Sequence, residues 1–265
     1  MMHPIERLRY VARSSGAASS ALVAETAAAL RAFGGDPQGM VTACRRIVAR
    51  QPTAGPLWYL AARALTAPDG VAEAQRVAAE VADDTTPRRL GHALPQGATI
   101  VVVGWPDHTA TALGRRGDLR VRVVDSGGDG GALVDALVRV DLDAFDVPDR
   151  GAGSAAIDAD LVVIEATAAG PAGALVPHGA TAAAAVARAG AIPVWLVGGI
   201  GRWVPDRLFA AMVDRVVSDQ RWLDDAELMS LDLADEVIGP EGTVSVAAAI
   251  AGIDCPPAPE LYRGL

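Results

Sequence analysis

Residues 99–104 read Thr-Ile-Val-Val-Val-Gly, a run of β-branched side chains closed by a glycine. A strand with one wet face alternates apolar and polar residues, whereas an unbroken apolar run describes a strand buried on both faces, as in parallel sheets. Outward from this run the pattern alternates. A helical stretch over 109–116 is followed by a strand at 119–124, a helix at 131–139, a strand at 161–165, a helix at 180–189 and a strand at 194–197. A helix near 205–217, a short strand near 236–238, a helix near 244–251 and a proline-rich tail complete the chain. Strands alternating with helices at this spacing predict βαβ units and a mainly parallel, helix-covered sheet. Upstream the period is helical throughout: 5–13, 19–33, 40–49, 57–65 and 71–81 carry apolar stripes at three- and four-residue spacing. Asp83-Asp84-Thr85-Thr86-Pro87 and Pro95 to Gly97 carry linker signals. The expectation is an α/β fold: an all-helical N-terminal domain over 1–94, then a Rossmann-like domain over 95–265 with a mainly parallel sheet.

Composition narrows the chemistry. The chain has 265 residues and a formal charge of −9, and all 23 of its basic residues are arginine; it contains no lysine and no asparagine. Schiff-base catalysis, a phosphate-loop lysine and a lysine base are thereby excluded. The acidic balance argues against nucleic acid or an anionic membrane as a partner, because Arg45-Arg46, Arg88-Arg89 and Arg115-Arg116 are pairs and not a stripe. Aromatic residues amount to 4%, so the core must be built from Ala, Val and Leu. Cys44 and Cys255 make no metal or disulfide framework, and the first ten residues lack an apolar signal core, which points to a cytoplasmic chain.

In an open α/β sheet, ligands bind beyond the carboxyl ends of the strands, so those ends are the places to search. The first ends in Gly104-Trp105-Pro106-Asp107-His108-Thr109, which is not the G-x-G-x-x-G of a dinucleotide site. His108 could serve as an acid/base, or Asp107 and Thr109 could cap a helix with His108 in solvent. The next ends in Asp125, able to bond a ribose hydroxyl or, with Asp129, to hold a cation in a glycine-rich loop; a solvated loop is the commoner meaning of such a segment. Glu165 closes the 161–165 strand. Thr167, a hairpin through 174–176, His178 and Thr181 follow, bringing a carboxylate, a hydroxyl, an imidazole and a helix N-terminus to one region. That arrangement suits an anion, or is a tight hairpin with an ordinary cap. Val197-Gly-Gly-Ile-Gly201 with Arg202 suits a phosphate or carboxylate. Trp203 and Trp222 could stack on a ligand or fill an aromatic-poor core. No G-x-S-x-G hydrolase motif is present.

Residues 159–181 resemble the signature stretch of the family that unites the alpha, beta and delta subunits of eukaryotic translation initiation factor 2B with methylthioribose-1-phosphate isomerase and ribose-1,5-bisphosphate isomerase. Ala159-Asp160-Leu161-Val162-Val163 resembles its start, Gly173 its hairpin glycine and Thr181 its end. Ala185-Val186-Ala187-Arg188 and Pro193-Val194-Trp195-Leu196-Val197 follow in the family's order. Asp149 falls on an upstream family aspartate, and Arg50-Gln51-Pro52-Thr53-Ala54 is similar to its "RPTA". The resemblance implies a homodimer with a strand-end pocket for a sugar phosphate or nucleotide and a link to translation initiation; with the strand-end reading, the expected ligand-binding residues are Arg50, Thr53, Gly104, Asp107, His108, Thr109, Asp125, Thr167, His178, Thr181 and Arg202. The departures bear on activity. The isomerases' cysteine falls on Gly104 or Trp105, and their aspartate on Thr167, whose hydroxyl cannot replace a carboxylate. Their lysine falls near His178. A catalytically degenerate, ligand-binding or scaffold protein is the first expectation, with no cofactor and no metal. An aldose–ketose isomerase using His178, Glu165 or Asp149 is the second. A nicotinamide-dependent oxidoreductase ranks last.

Overall fold

The computed structural model of the chain describes residues 19–263; the helix expected over 5–13 lies outside them. Five helices come first: α1 (Ser19–Leu30), α2 (Pro37–Arg50), α3 (Gly55–Thr66), α4 (Gly70–Ala82) and α5 (Thr86–Ala93). Their starts are set locally. Asp36 accepts a hydrogen bond from Gly39 N at 2.8 Å with Pro37 next in sequence, and Asp69 caps α4 through Val71 N and Ala72 N. The linker expected at Asp83–Pro87 is half helix: Thr86-Pro87 opens α5, because proline in a first turn loses no helical hydrogen bond.

The α/β part continues as β1 (Thr99–Val103), α6 (Asp107–Leu113), β2 (Arg120–Val124), α7 (Gly130–Val138), β3 (Asp143–Val147), α8 (Ala152–Ile157), β4 (Leu161–Glu165), β5 (Ala168–Gly170), β6 (Gly173–Pro177), α9 (Ala180–Ala189), β7 (Val194–Val197), α10 (Asp206–Val216), β8 (Ala226–Met229), β9 (Glu236–Gly239), β10 (Gly242–Val244) and α11 (Val246–Ala251). Seven strands form one sheet in the order β10-β9-β7-β4-β1-β2-β3, parallel except for the β9–β10 pair. A small antiparallel sheet, β5-β6-β8, stands beside it. The central strand behaves as residues 99–104 predict. Ile100 and Val102 pack with α5, α6 and α7 through Leu90, Leu113 and Leu133, while Val101 and Val103 pack with α8 and α9 through Ala156 and Ala183. A third core joins α1–α4 to the small sheet and α10 through Trp58, Tyr59, Leu175, Phe209 and Met212. Among the described residues no helix is long and apolar enough to cross a membrane.

The chain runs outward from β1 through β2 to β3, then returns to the other side of β1 as β4. The direction of winding reverses between β1 and β4, and a crevice opens where the connections diverge beyond their carboxyl ends.

Candidate functional site

A cleft of about 670 Å³ lies at that reversal. Its floor is Gly104, Glu165, Thr167 and Arg202, and its walls include Thr53, Ala54, Trp105, Asp107, Ser126, Asp129, Pro177 and Asp225. Gly104 takes φ +67°, a left-handed conformation open to glycine at little cost, and its N–H donates to Val124 O at 2.9 Å. On the helical side the cleft is bordered by Ser19 and Leu22 of α1 and by the loop just before α3, with Gln51, Thr53 and Ala54. Gly55 N donates to Thr167 O at 3.1 Å, and a Cβ on Gly55 would fall 2.6 Å from that carbonyl oxygen.

Beneath the cleft four charged groups interlock. Glu165 is buried and both its oxygens are used: Oε1 accepts from His108 N at 3.2 Å and faces Arg202 Nη2 at 2.8 Å, and Oε2 accepts from Thr109 N and Thr109 Oγ1, each at 2.9 Å. His108 Nδ1 lies 3.2 Å from Glu165 Oε1 and 2.9 Å from Arg202 Nη2, and its Nε2 lies 3.1 Å from Asp84 Oδ2. Asp84 also accepts from Ile200 N at 2.7 Å and Thr86 N at 2.8 Å. Arg202 Nη1 donates to Ala166 O at 2.5 Å.

Two states of His108 compete. A neutral ring would accept from Arg202 at Nδ1; an imidazolium donates to Glu165 and Asp84. With the ring protonated the cluster of two carboxylates, one guanidinium and one imidazolium is neutral, whereas a neutral ring leaves one uncompensated negative charge out of water. The charged form wins. Burial opposes the charge on His108, but the bonds to Asp84 and Glu165 outweigh it and raise the pKa to about 9. Burial likewise opposes ionisation of Glu165; Arg202 and His108 overcome it and hold the carboxyl at about 2. Asp84 is also held at about 2, its bonds from His108 and Thr86 prevailing over burial.

The glycines of the Val197–Gly201 turn make room for this cluster. A Cβ on Gly199 would stand 2.4 Å from Asp84 Oδ2 and 2.7 Å from His108 Nε2, and one on Gly198 would stand 2.5 Å from Trp203 Nε1. Gly199→Ala should therefore destabilise the fold by about 1–3 kcal/mol in urea unfolding, as overpacking does; an unchanged midpoint would contradict the crowding seen here.

The residues singled out in the sequence separate into two groups. Thr53, Gly104, Asp107, Thr167, Glu165 and Arg202 meet in the cleft, with His108 and Thr109 just beneath its floor. His108 is mostly buried, its side chain 13% exposed where it borders a second cleft beside Asp84, and Thr109 donates its hydroxyl to Glu165 instead of capping a helix. Arg202 is spent on Glu165 and a carbonyl. The others lie apart from the cleft lining. Arg50 is exposed at the end of α2, and Asp149 is exposed on a 3-10 turn. His178 is exposed, its Nδ1 lying 3.9 Å from Glu227. Thr181 N donates to Glu227 Oε1 at 2.7 Å, so the N-terminus of α9 already holds a carboxylate. Asp125 accepts from Gly128 N and Gly130 N, organising its own glycine loop. Trp222 is exposed, while Trp203 packs against the core on the α8–α9 face. Among the described residues no group of His, Cys, Asp and Glu converges as a metal site.

Sequence reasoning passes over Asp84, a residue of a turn rich in acid, proline and threonine, and Asp225. Nothing local marks Asp84, which reaches His108 only through the docking of the helices on the sheet.

No family model matches the chain, and no curated protein does. Solved structures share its fold. The translation initiation factor eIF-2B of Pyrococcus horikoshii OT3 superposes with a TM-score of 0.75 over 93% of this chain and 98% of that one, at 15% identity. The eIF2B beta subunit of Chaetomium thermophilum gives 0.73 over 97% and 92%, at 14% identity. A chain of the tetrameric eIF2B-beta2-delta2 complex of C. thermophilum gives 0.71 over 94% and 92%, at 16% identity. The resemblance read around residues 159–181 is thus matched in the fold of the whole chain.

Proposed function

We propose that this chain is a non-catalytic, ligand-binding regulatory protein of the initiation-factor-2B type, working as a cytoplasmic homodimer. The observation that carries the reading is the contrast between an open cleft at the point of reversed winding and the locked charges under it. Proton transfer at neutral pH needs a group poised near neutrality and free to exchange its proton. Glu165 at about 2 and His108 at about 9 sit on either side of that window, and each is hydrogen-bonded to its protein neighbours. The hydroxyl of Thr167, at the family's acid position, donates to Leu175 O at 3.2 Å. Exposed Trp222, Leu223 and Leu228, on and just before the outer strand β8 of the small sheet, support a self-association face.

Thermal-shift screening of the full chain against small metabolites tests the reading. A ligand at 100 times its dissociation constant should add about 2.7 kcal/mol, and aldose phosphates should show no isomerisation by NMR. Turnover that scales with the concentration of the purified chain would overturn it, as would stabilisation by none of the compounds. Sedimentation should show a dimer.

A further inference from the structure

Taking the cleft as a ligand site, on which reading this inference rests, we propose that its ligand is a hydroxylated organic amine carrying no phosphate. Groups that would ordinarily receive a phosphate are already occupied by the protein's own carboxylates. The N–H groups of His108 and Thr109 at the start of α6 point to Glu165, that of Gly130 at the start of α7 to Asp125, and that of Thr181 at the start of α9 to Glu227. The Arg202 guanidinium, the one basic side chain of the lining among the described residues, faces Glu165.

What remains to meet a ligand is negative, aromatic and hydroxylic. Asp107, Asp129 and Asp225 stand on the walls; Asp107 Oδ2 accepts from Ser19 N at 3.1 Å and Ser19 Oγ at 3.3 Å, whereas Asp129 and Asp225 are exposed. A phosphate entering between Asp129 and Asp225 would meet their repulsion, whereas an ammonium is drawn in. Trp105 presents an indole 45% exposed at the same cleft, in a chain with few aromatics to spare. An exposed indole beside carboxylates is the surface that recognises organic cations, whose charge is attracted to the ring face. The walls offer hydroxyl partners, Thr53 and Ser126, while the Nε–H of Arg202, which has no acceptor among the described residues, is closed off from solvent. A ligand hydroxyl pairs with the wall hydroxyls without importing a second anion. The volume of about 670 Å³ suits a small molecule.

Matched pairs differing only in a phosphate test the class: choline against phosphocholine, ethanolamine against phosphoethanolamine, and glucosamine against glucosamine 6-phosphate, titrated calorimetrically into the full chain. We expect at least one amine to bind about tenfold more tightly than its ester, and Trp105→Ala to weaken that binding about tenfold. Trp105 is half exposed, so the variant should keep its fold, which circular dichroism verifies. Tighter binding of the esters, or amine binding indifferent to Trp105→Ala, overturns the amine assignment and leaves the cleft a ligand site. Binding of none of these amines or esters overturns the assignment, and, with no stabilisation in the thermal-shift screen either, the ligand-binding reading as well.

Discussion

Replacing Glu165 by glutamine is expected to cost about 3–5 kcal/mol of folding stability, the largest loss we foresee for any single polar substitution in this chain. The change is nearly isosteric, so packing is not what fails. It removes the one negative charge facing Arg202 Nη2 at 2.8 Å, and it turns an acceptor-only group into one that presents N–H donors to a guanidinium and an imidazole. Arg202 cannot relieve the loss by deprotonating, and at 3% exposure it cannot turn to water. The two backbone N–H groups at the start of α6 would also lose charged acceptors. Urea unfolding at pH 7 measures the difference; a loss below about 1 kcal/mol, the value of an exposed pair, would mean the cluster is wet.

A second large effect is the dependence of stability on pH. His108 has a folded-state pKa raised from 6.5 to about 9, so its contribution is complete below pH 6.5 and is lost as pH rises through 9. By linkage this amounts to roughly 3 kcal/mol. Glu165 and Asp84 behave oppositely: held at about 2, their contribution is complete above their ordinary values of 4.5 and 3.8 and fades as pH falls through 2. These are the same contacts seen from the other partner, so the two limbs are not added. Stability should be greatest between about pH 4.5 and 6.5 and decline toward pH 9. The buried thiols of Cys44 and Cys255, pushed up to about 12 by burial, begin to weigh only when unfolded thiols ionise near 9. Urea unfolding of the chain and of His108→Gln, from pH 6 to 9, isolates the imidazole; parallel declines would remove His108 as the cause.

The central strands are legible in the sequence because burial on both faces leaves β1, β4 and β7 as unbroken apolar runs, and the structure places them at 99–103, 161–165 and 194–197. The outer strands are not. β3 carries exposed Asp143, Phe145 and Asp146, the charged habit of an edge that must not pair further, so its apolar signal is reduced to single residues. β8 and β10 have four and three residues, too short for any period to show. At the site, strand-end logic finds Gly104, Glu165, Thr167 and Arg202, because the position of a strand end is a local property. It does not find that Arg202 and Glu165 satisfy each other, or that Glu227 fills the end of α9, because those pairings join segments 37 and 46 residues apart in sequence and depend on the packed structure. The same limit hides Asp84.

The decisive measurement is an NMR titration of the histidine rings, with His108 assigned by its absence in His108→Gln. We expect the His108 ring to keep both protons through neutrality and to titrate near pH 9. A midpoint between 6 and 7 would mean a free, neutral imidazole under the cleft, and with it a proton-transfer group that a purely binding protein does not have.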